Sequence, residues 1–249
     1  VLTDPAFGAT EPERRDLLRQ GGLKSYSTMN IDIQNAGAES MANLVPANYD
    51  NQFFGAAGVS LETSTGRVLA ITQNTVFSET IQGDQAYSAL VFATDKEHGG
   101  SNGFSVGSTY KLFTLIDWLE NGHSVRETLN GSARVFSKFK CGDDGIRNTT
   151  KIQNFGNAGG YTGTVMKFTA DSLNTGYLAM AEKLDLCEIN AVADRMGVKL
   201  SNGKKTTDDP AAPYDILGPQ DIAPPALARA HATVAPGGGH RTPKPTDRV

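Results

Sequence analysis

The sequence predicts an α+β domain, on three observations. Apolar residues recur at helical spacing in several separate segments; one pair of short apolar runs around a glycine turn reads as a β-hairpin; and 39% hydrophobic with 20% charged residues over 249 positions is ordinary globular composition. Taking the chain in order, Val1–Gln20 carries Pro5, Pro12 and the charged run Glu13-Arg14-Arg15-Asp16, and reads as a linker (residues 1–22) containing a short helix. Asn30 is placed to cap a helix through Val45, which Pro46 ends. Ala56–Leu61 and Arg67–Thr72 alternate loosely across a Thr63-Ser64-Thr65-Gly66 turn, as a hairpin does. From Thr72 to Gly107 the chain is irregular. Leu112–Glu120 keeps an apolar face at i, i+3 and i+4 and stops at Gly122. Gly176–Leu184 reads as a helix, and Leu186–Met196 as an amphipathic one ending at Gly197. A polar stretch from Ser201 to Asp221 connects helices, and Pro236-Gly237-Gly238-Gly239-His240 is a flexible turn.

Composition excludes some functions. A net charge of −4 without basic clusters argues against a nucleic-acid surface, which should be basic. No stretch approaches the roughly 18 consecutive apolar residues of a membrane helix, and no signal-peptide pattern is present. His98, His123, His231 and His240 are scattered without ligand spacing, so they read as surface or packing residues and not as a metal site. The glycine cluster Gly99–Gly107 lacks the Gly-Lys-Ser/Thr of a phosphate loop and reads as the turn that delivers the following serine.

That serine is the chemical feature of the chain. In Gly107-Ser108-Thr109-Tyr110-Lys111, Ser108 and Lys111 stand three residues apart at the start of an apolar helix, where i and i+3 share a face. A serine needs a base to become a nucleophile, and a lysine neutralised by burial and by the positive helix end can be that base. The alternative is an ordinary pair on a solvated helix face. A second element, Ser172-Leu173-Asn174, precedes the helix at Gly176. In an extended or loop backbone, Ser172 and Asn174 address one cleft while Leu173 turns inward. The alternative there is helix capping.

An S-x-x-K followed by S-x-N is the ordered signature of serine penicillin-binding proteins and serine β-lactamases. Gly22–Gln34 resembles the segment that opens the transpeptidase domain of class A (bifunctional) penicillin-binding proteins, and Ala56–Ala70 resembles its first hairpin. Asn154-Phe155-Gly156, Gly160-Tyr161-Thr162-Gly163 and Pro225–Ala235 are similar as well, so the resemblance covers the chain from about Leu23 onward, taken as residues 23–249. It implies an α/β sandwich with an antiparallel sheet flanked by helices. It also implies Ser108 as nucleophile, Lys111 as base, Ser172 as proton relay and Asn174 as substrate-orienting amide, with the Ser108 backbone N–H in the oxyanion hole. No cofactor or metal is implied. The expected partners are a D-Ala-D-Ala stem peptide of peptidoglycan, β-lactams and other cell-wall synthesis proteins, with no nucleic acid. The expected location is the outer face of the bacterial cytoplasmic membrane, with the anchor and a glycosyltransferase domain upstream of Val1. There Cys141 and Cys187 could pair; a buried free thiol at Cys187 is the alternative.

One departure from the pattern stands out. The third motif, K-[TS]-G, is missing, since Lys204-Lys205-Thr206-Thr207 lacks the glycine and looks like a solvated loop. We therefore expect the motif, and three strands that extend the hairpin, beyond Val249, because two strands rarely hold alone in water. Without the second oxyanion donor the chain by itself should be catalytically crippled, as one such donor is typically worth about 10²–10³ in rate. Two other readings remain open: a D,D-carboxypeptidase or serine β-lactamase of the same superfamily, and a non-catalytic peptidoglycan-binding or scaffold protein.

Overall fold

The computed structural model describes residues 7–81, 83–84, 86–235 and 239–248. Val1–Ala6 of the expected linker, Pro236–Gly238 of the expected glycine turn, and Val249 lie outside the described residues. Helices and short strands alternate along the chain: α1 (Glu11–Gln20), α2 (Ile31–Leu44), α3 (Lys96–Gly99), α4 (Lys111–Glu120), α5 (Val165–Ala170), α6 (Asn174–Ala181), α7 (Leu186–Arg195) and α8 (Pro224–Val234). The strands form seven two-stranded sheets among the described residues, and all but one are antiparallel. The architecture is α+β.

Local chemistry explains most element boundaries. Thr10 caps α1 through a capping box with Glu13, and Asn30 Oδ1 accepts from the N–H groups of Asp32 and Ile33 to start α2. The expected hairpin is present as Ala57–Leu61 paired with Val68–Gln73, closed by a turn in which the Gly66 N–H donates to Glu62 O at 2.8 Å. Helices α2 and α8 pack against it. Along its second strand Val68, Ala70 and Thr72 are buried while the alternating residues are half-buried. The free edge of that strand is satisfied without another strand near Ile71. The Gln34 carboxamide donates to Ile71 O at 2.8 Å and accepts from Ile71 N–H at 2.9 Å.

The core lies around α4, α6 and α7. Trp118, Phe113, Phe168, Tyr177, Leu178, Met180 and Ile189 are wholly or almost wholly buried. Helix α6 is buried on every side from Thr175 to Ala181. It can sit there because Gly176 is small: a Cβ at that position would lie 2.4 Å from the Phe168 ring. Between the paired strands Thr128–Asn130 and Thr162–Thr164 runs a long loop that plants Phe136 and Phe139 in the core. Within it the hairpin Phe139–Cys141/Asp144–Ile146 is tied to α7 by a Cys141–Cys187 disulfide, which resolves the two cysteines as a pair. Thr206, expected in a solvated loop, is 5% exposed and donates to Asn190 O at 2.6 Å. The charged neighbours hid a buried threonine.

Candidate active site

Ser108 is delivered by a close backbone crossing. Phe104–Ser105 pairs with Asp221–Ile222, and the Gly107 N–H donates to Gly218 O at 2.8 Å. The crossing requires glycine, because a Cβ on Gly218 would lie 2.0 Å from Gly107 O. The chain then enters a 3₁₀ turn, Gly107–Tyr110, which runs into α4 at Lys111. In 3₁₀ geometry residues i and i+3 eclipse, and this puts Lys111 Nζ 3.0 Å from Ser108 Oγ. The Ser108 N–H, an orphan donor of the first turn, has no partner among the described residues.

Ser172 arrives on the loop alternative of the expected extended-or-loop backbone, in the turn between α5 and α6. It ends α5 in a Schellman motif: Leu173 N–H donates to Phe168 O at 2.9 Å and Ser172 N–H to Thr169 O at 3.2 Å. The closing residue of that motif is left-handed, and Ser172 has φ 50° where glycine is usual. Leu173 turns into the core as expected, 8% exposed. Asn174 then opens α6, and neither the Ser172 nor the Asn174 side chain caps a helix; the N-cap position of α6 is Leu173, with no side-chain hydrogen bond.

All four singled-out side chains meet at Lys111. Its Nζ lies 2.7 Å from Ser172 O, 3.0 Å from Ser172 Oγ, 2.7 Å from Asn174 Oδ1 and 3.0 Å from Ser108 Oγ. The Tyr177 ring stands behind it, 5.5 Å to the centroid. Lys111 is 3% exposed, and burial lowers its pKa to about 8. The hydrogen-bond inventory allows the amine to be neutral in this place. The carbonyl oxygens of Ser172 and Asn174 can only accept, so they take two N–H groups. The remaining position faces hydroxyls, which accept from an ammonium or donate to an amine lone pair. The arrangement can therefore withdraw a proton from Ser108 and pass it on without any group moving far.

A cleft of about 180 Å³ opens on this cluster, lined by Ser108, Lys111, Ser172, Thr169, Tyr177 and His231. His231 comes from α8, and burial holds its pKa below the usual imidazole range. It lines the cleft but is exposed overall, in keeping with its reading as a surface or packing residue; nothing in the local sequence of α8 says which element it faces. A larger cavity, about 770 Å³, lies near Asp95, Lys199 and Arg229 and contains none of the four residues. The small cleft holds the chemistry, because the nucleophile and the base line it. Cys141, Asp185 and Cys187 cluster closely, but both sulfurs are committed to the disulfide.

No family model matches the sequence, and no curated protein matches it. Solved structures do match the fold. The penicillin-binding protein PonA1 from Mycobacterium tuberculosis superposes with a TM-score of 0.68 at 23% identity, covering 93% of this chain and 54% of that one. PonA1 in complex with penicillin V gives 0.69 at 23% identity, covering 93% and 56%. The ceftriaxone acyl-enzyme of M. tuberculosis penicillin-binding protein A gives 0.67 at 18% identity, covering 93% and 56%. At this identity the likeness is one of fold: the chain has the fold of these penicillin-binding proteins. It spans a little over half the length of the structures it matches.

Proposed function

We propose that residues 23–249 belong to a D,D-transpeptidase domain that cross-links peptidoglycan stem peptides and is acylated by β-lactams. The observation that carries this reading is the buried Lys111 amine held between Ser108 Oγ and the Ser172/Asn174 pair. Acyl-enzyme formation in structures of the same fold supports it.

On this reading Ser108 Oγ attacks the carbonyl carbon between the two D-alanines, and its proton passes to the Lys111 lone pair. The negative oxygen of the tetrahedral intermediate is met by the Ser108 N–H, with the second donor assigned to the K-[TS]-G strand that the family resemblance implies. The carbon–nitrogen bond then breaks. The leaving D-alanine takes a proton from Ser172 Oγ, which Lys111 replenishes, and the acyl chain remains on Ser108 as an ester. Asn174 orients the substrate through its second amide hydrogen, since the first is donated to Gln153 O at 3.0 Å. An amine from a second stem peptide attacks the ester and completes the cross-link. The work is done on the outer face of the bacterial cytoplasmic membrane, beside other cell-wall synthesis proteins.

Labelled penicillin should mark Ser108 in protein expressed from the complete open reading frame, and Ser108→Ala should abolish the mark. A mark retained by that variant ends the assignment. Rapid release of hydrolysed penicillin would make the protein a β-lactamase; D-alanine release without cross-linking would make it a carboxypeptidase.

A further inference from the structure

We propose that Asn154 is a positioning residue of this site. It supplies, from 21 residues upstream, the cap that α6 lacks, and so fixes Asn174 against Lys111. The inference rests on the reading of the site as an acyl-transfer centre and adds to it a residue outside both sequence motifs.

Every α-helix begins with N–H groups that have no partner inside it, and a serine, threonine, aspartate or asparagine just before the helix usually meets one of them. Helix α6 has Leu173 in that place, which offers no side-chain oxygen. The N–H of Thr175 donates instead to Asn154 Oδ1 at 3.0 Å. The other end of the same carboxamide is also engaged: Nδ2 donates to Thr175 Oγ1 and to Ala158 O, each at 3.0 Å. Thr175 is wholly buried and Asn154 is 7% exposed, so water does not readily replace these bonds. The preceding residue acts on the preceding position, since Gln153 O accepts from Asn174 Nδ2. Two consecutive residues of the loop thus grip two consecutive residues of α6. With Nδ2 turned toward Gln153, Asn174 Oδ1 is left pointing at Lys111 Nζ, 2.7 Å away.

Beyond Asn154 the turn is held by polar groups and not by Phe155, while Ile152 before it packs against the core. Phe155, next to Asn154, is 99% exposed and buries nothing. Gly156 (φ 65°) and Asn157 (φ 59°) reverse the chain, so that Ala158 O returns to Asn154 Nδ2. Only a carboxamide of this length accepts at Thr175 N–H while donating to two oxygens. Alanine at 154 would leave a buried helix-start N–H without a partner and free the first turn of α6, on which Asn174 stands.

The test measures the acylation rate by labelled penicillin in protein from the complete open reading frame. Asn154→Ala should slow acylation by about 10–100-fold, the scale of a misplacement of about 1 Å in a reacting group. In an Asn174→Ala background the same change should cost less than about 3-fold, because Asn154 acts through Asn174. Asn154→Asp keeps the acceptor for Thr175 N–H, and should stay within about 3-fold of wild type while melting at a lower temperature. It carries the test if Asn154→Ala does not fold. A wild-type rate in Asn154→Ala, full additivity with Asn174→Ala, or an Asn154→Asp protein as slow as Asn174→Ala overturns the proposal. A wild-type protein that takes no label at Ser108 overturns the acyl-transfer reading first, and this inference with it.

Discussion

Lys111 Nζ meets Ser172 twice, at 2.7 Å to the backbone carbonyl oxygen and at 3.0 Å to Oγ. The double contact is possible because Ser172 closes α5 in a left-handed conformation, turning its carbonyl and its side chain to the same side. One backbone angle thereby joins the end of a helix to the base of the proposed reaction.

The pH dependence of acylation follows from Lys111. Burial lowers its pKa from 10.5 to about 8, and only the neutral amine can accept the Ser108 proton. Acylation should climb about tenfold per pH unit below pH 8 and level off above it. Lys111→Arg should lose about 10²–10⁴ in rate, since a guanidinium stays charged and cannot serve as base. A rate that is flat between pH 6 and pH 9 would remove Lys111 from that role.

Ser172 allows stability and chemistry to be separated. Ser172→Ala and Ser172→Gly both remove the relay hydroxyl, so both should be slow. Only glycine relieves the left-handed backbone, which costs an L-residue about 1–2 kcal/mol, partly offset by the greater freedom of glycine in the unfolded chain. Denaturant titration should place Ser172→Gly about 0.5–1 kcal/mol above Ser172→Ala. The reverse order would mean that φ at this residue is not left-handed.

Asp117 on α4 is 3% exposed, and its Oδ2 has no partner among the described residues. Burial, aided by Glu120 and Glu188, raises its pKa from 3.8 to about 6. The folded state therefore favours the protonated acid. That contribution is complete below about pH 3.8 and is lost as pH rises through about 6. Asp117→Asn does not titrate, so its stability relative to wild type should improve by about 2–3 kcal/mol between pH 4 and pH 8. Urea melts at the two pH values check this; an unchanged difference would mean that Asp117 is solvated.

The Cys141–Cys187 bond closes a loop of 46 residues between the hairpin and α7. Chain entropy assigns such a closure about 4 kcal/mol, and measured values typically run about 2–4. Cys141→Ser/Cys187→Ser should lose stability on that scale in denaturant titration, and reduction of the wild type should do the same. A double variant as stable as the oxidised protein would show that the two elements are held together by other contacts.

The two motifs were legible because each packs its chemistry into neighbouring residues. Ser108 and Lys111 need only one helical turn to meet, and Ser172 and Asn174 flank a residue that must go inward. The hairpin around Gly66 was legible for the same local reason. What could not be read is what crosses between elements. Asn154 and Thr175 are partners only because a loop returns to the core. His231 faces the cleft only because of where α8 lies. The left-handed turn at Ser172 was hidden because serine, unlike glycine, does not advertise that backbone. The charge around Thr206 pointed to solvent, although the threonine itself is inside.

Helix α6 is enclosed from Thr175 to Ala181 and begins at the residue that faces the base. Its amide hydrogens should trade with deuterium only when the surrounding core opens, so the carboxamide at its first position rides on a slowly exchanging part of the domain. Heat should then erase the reactive constellation and the tertiary structure in a single event, with no warm, folded and chemically silent form in between.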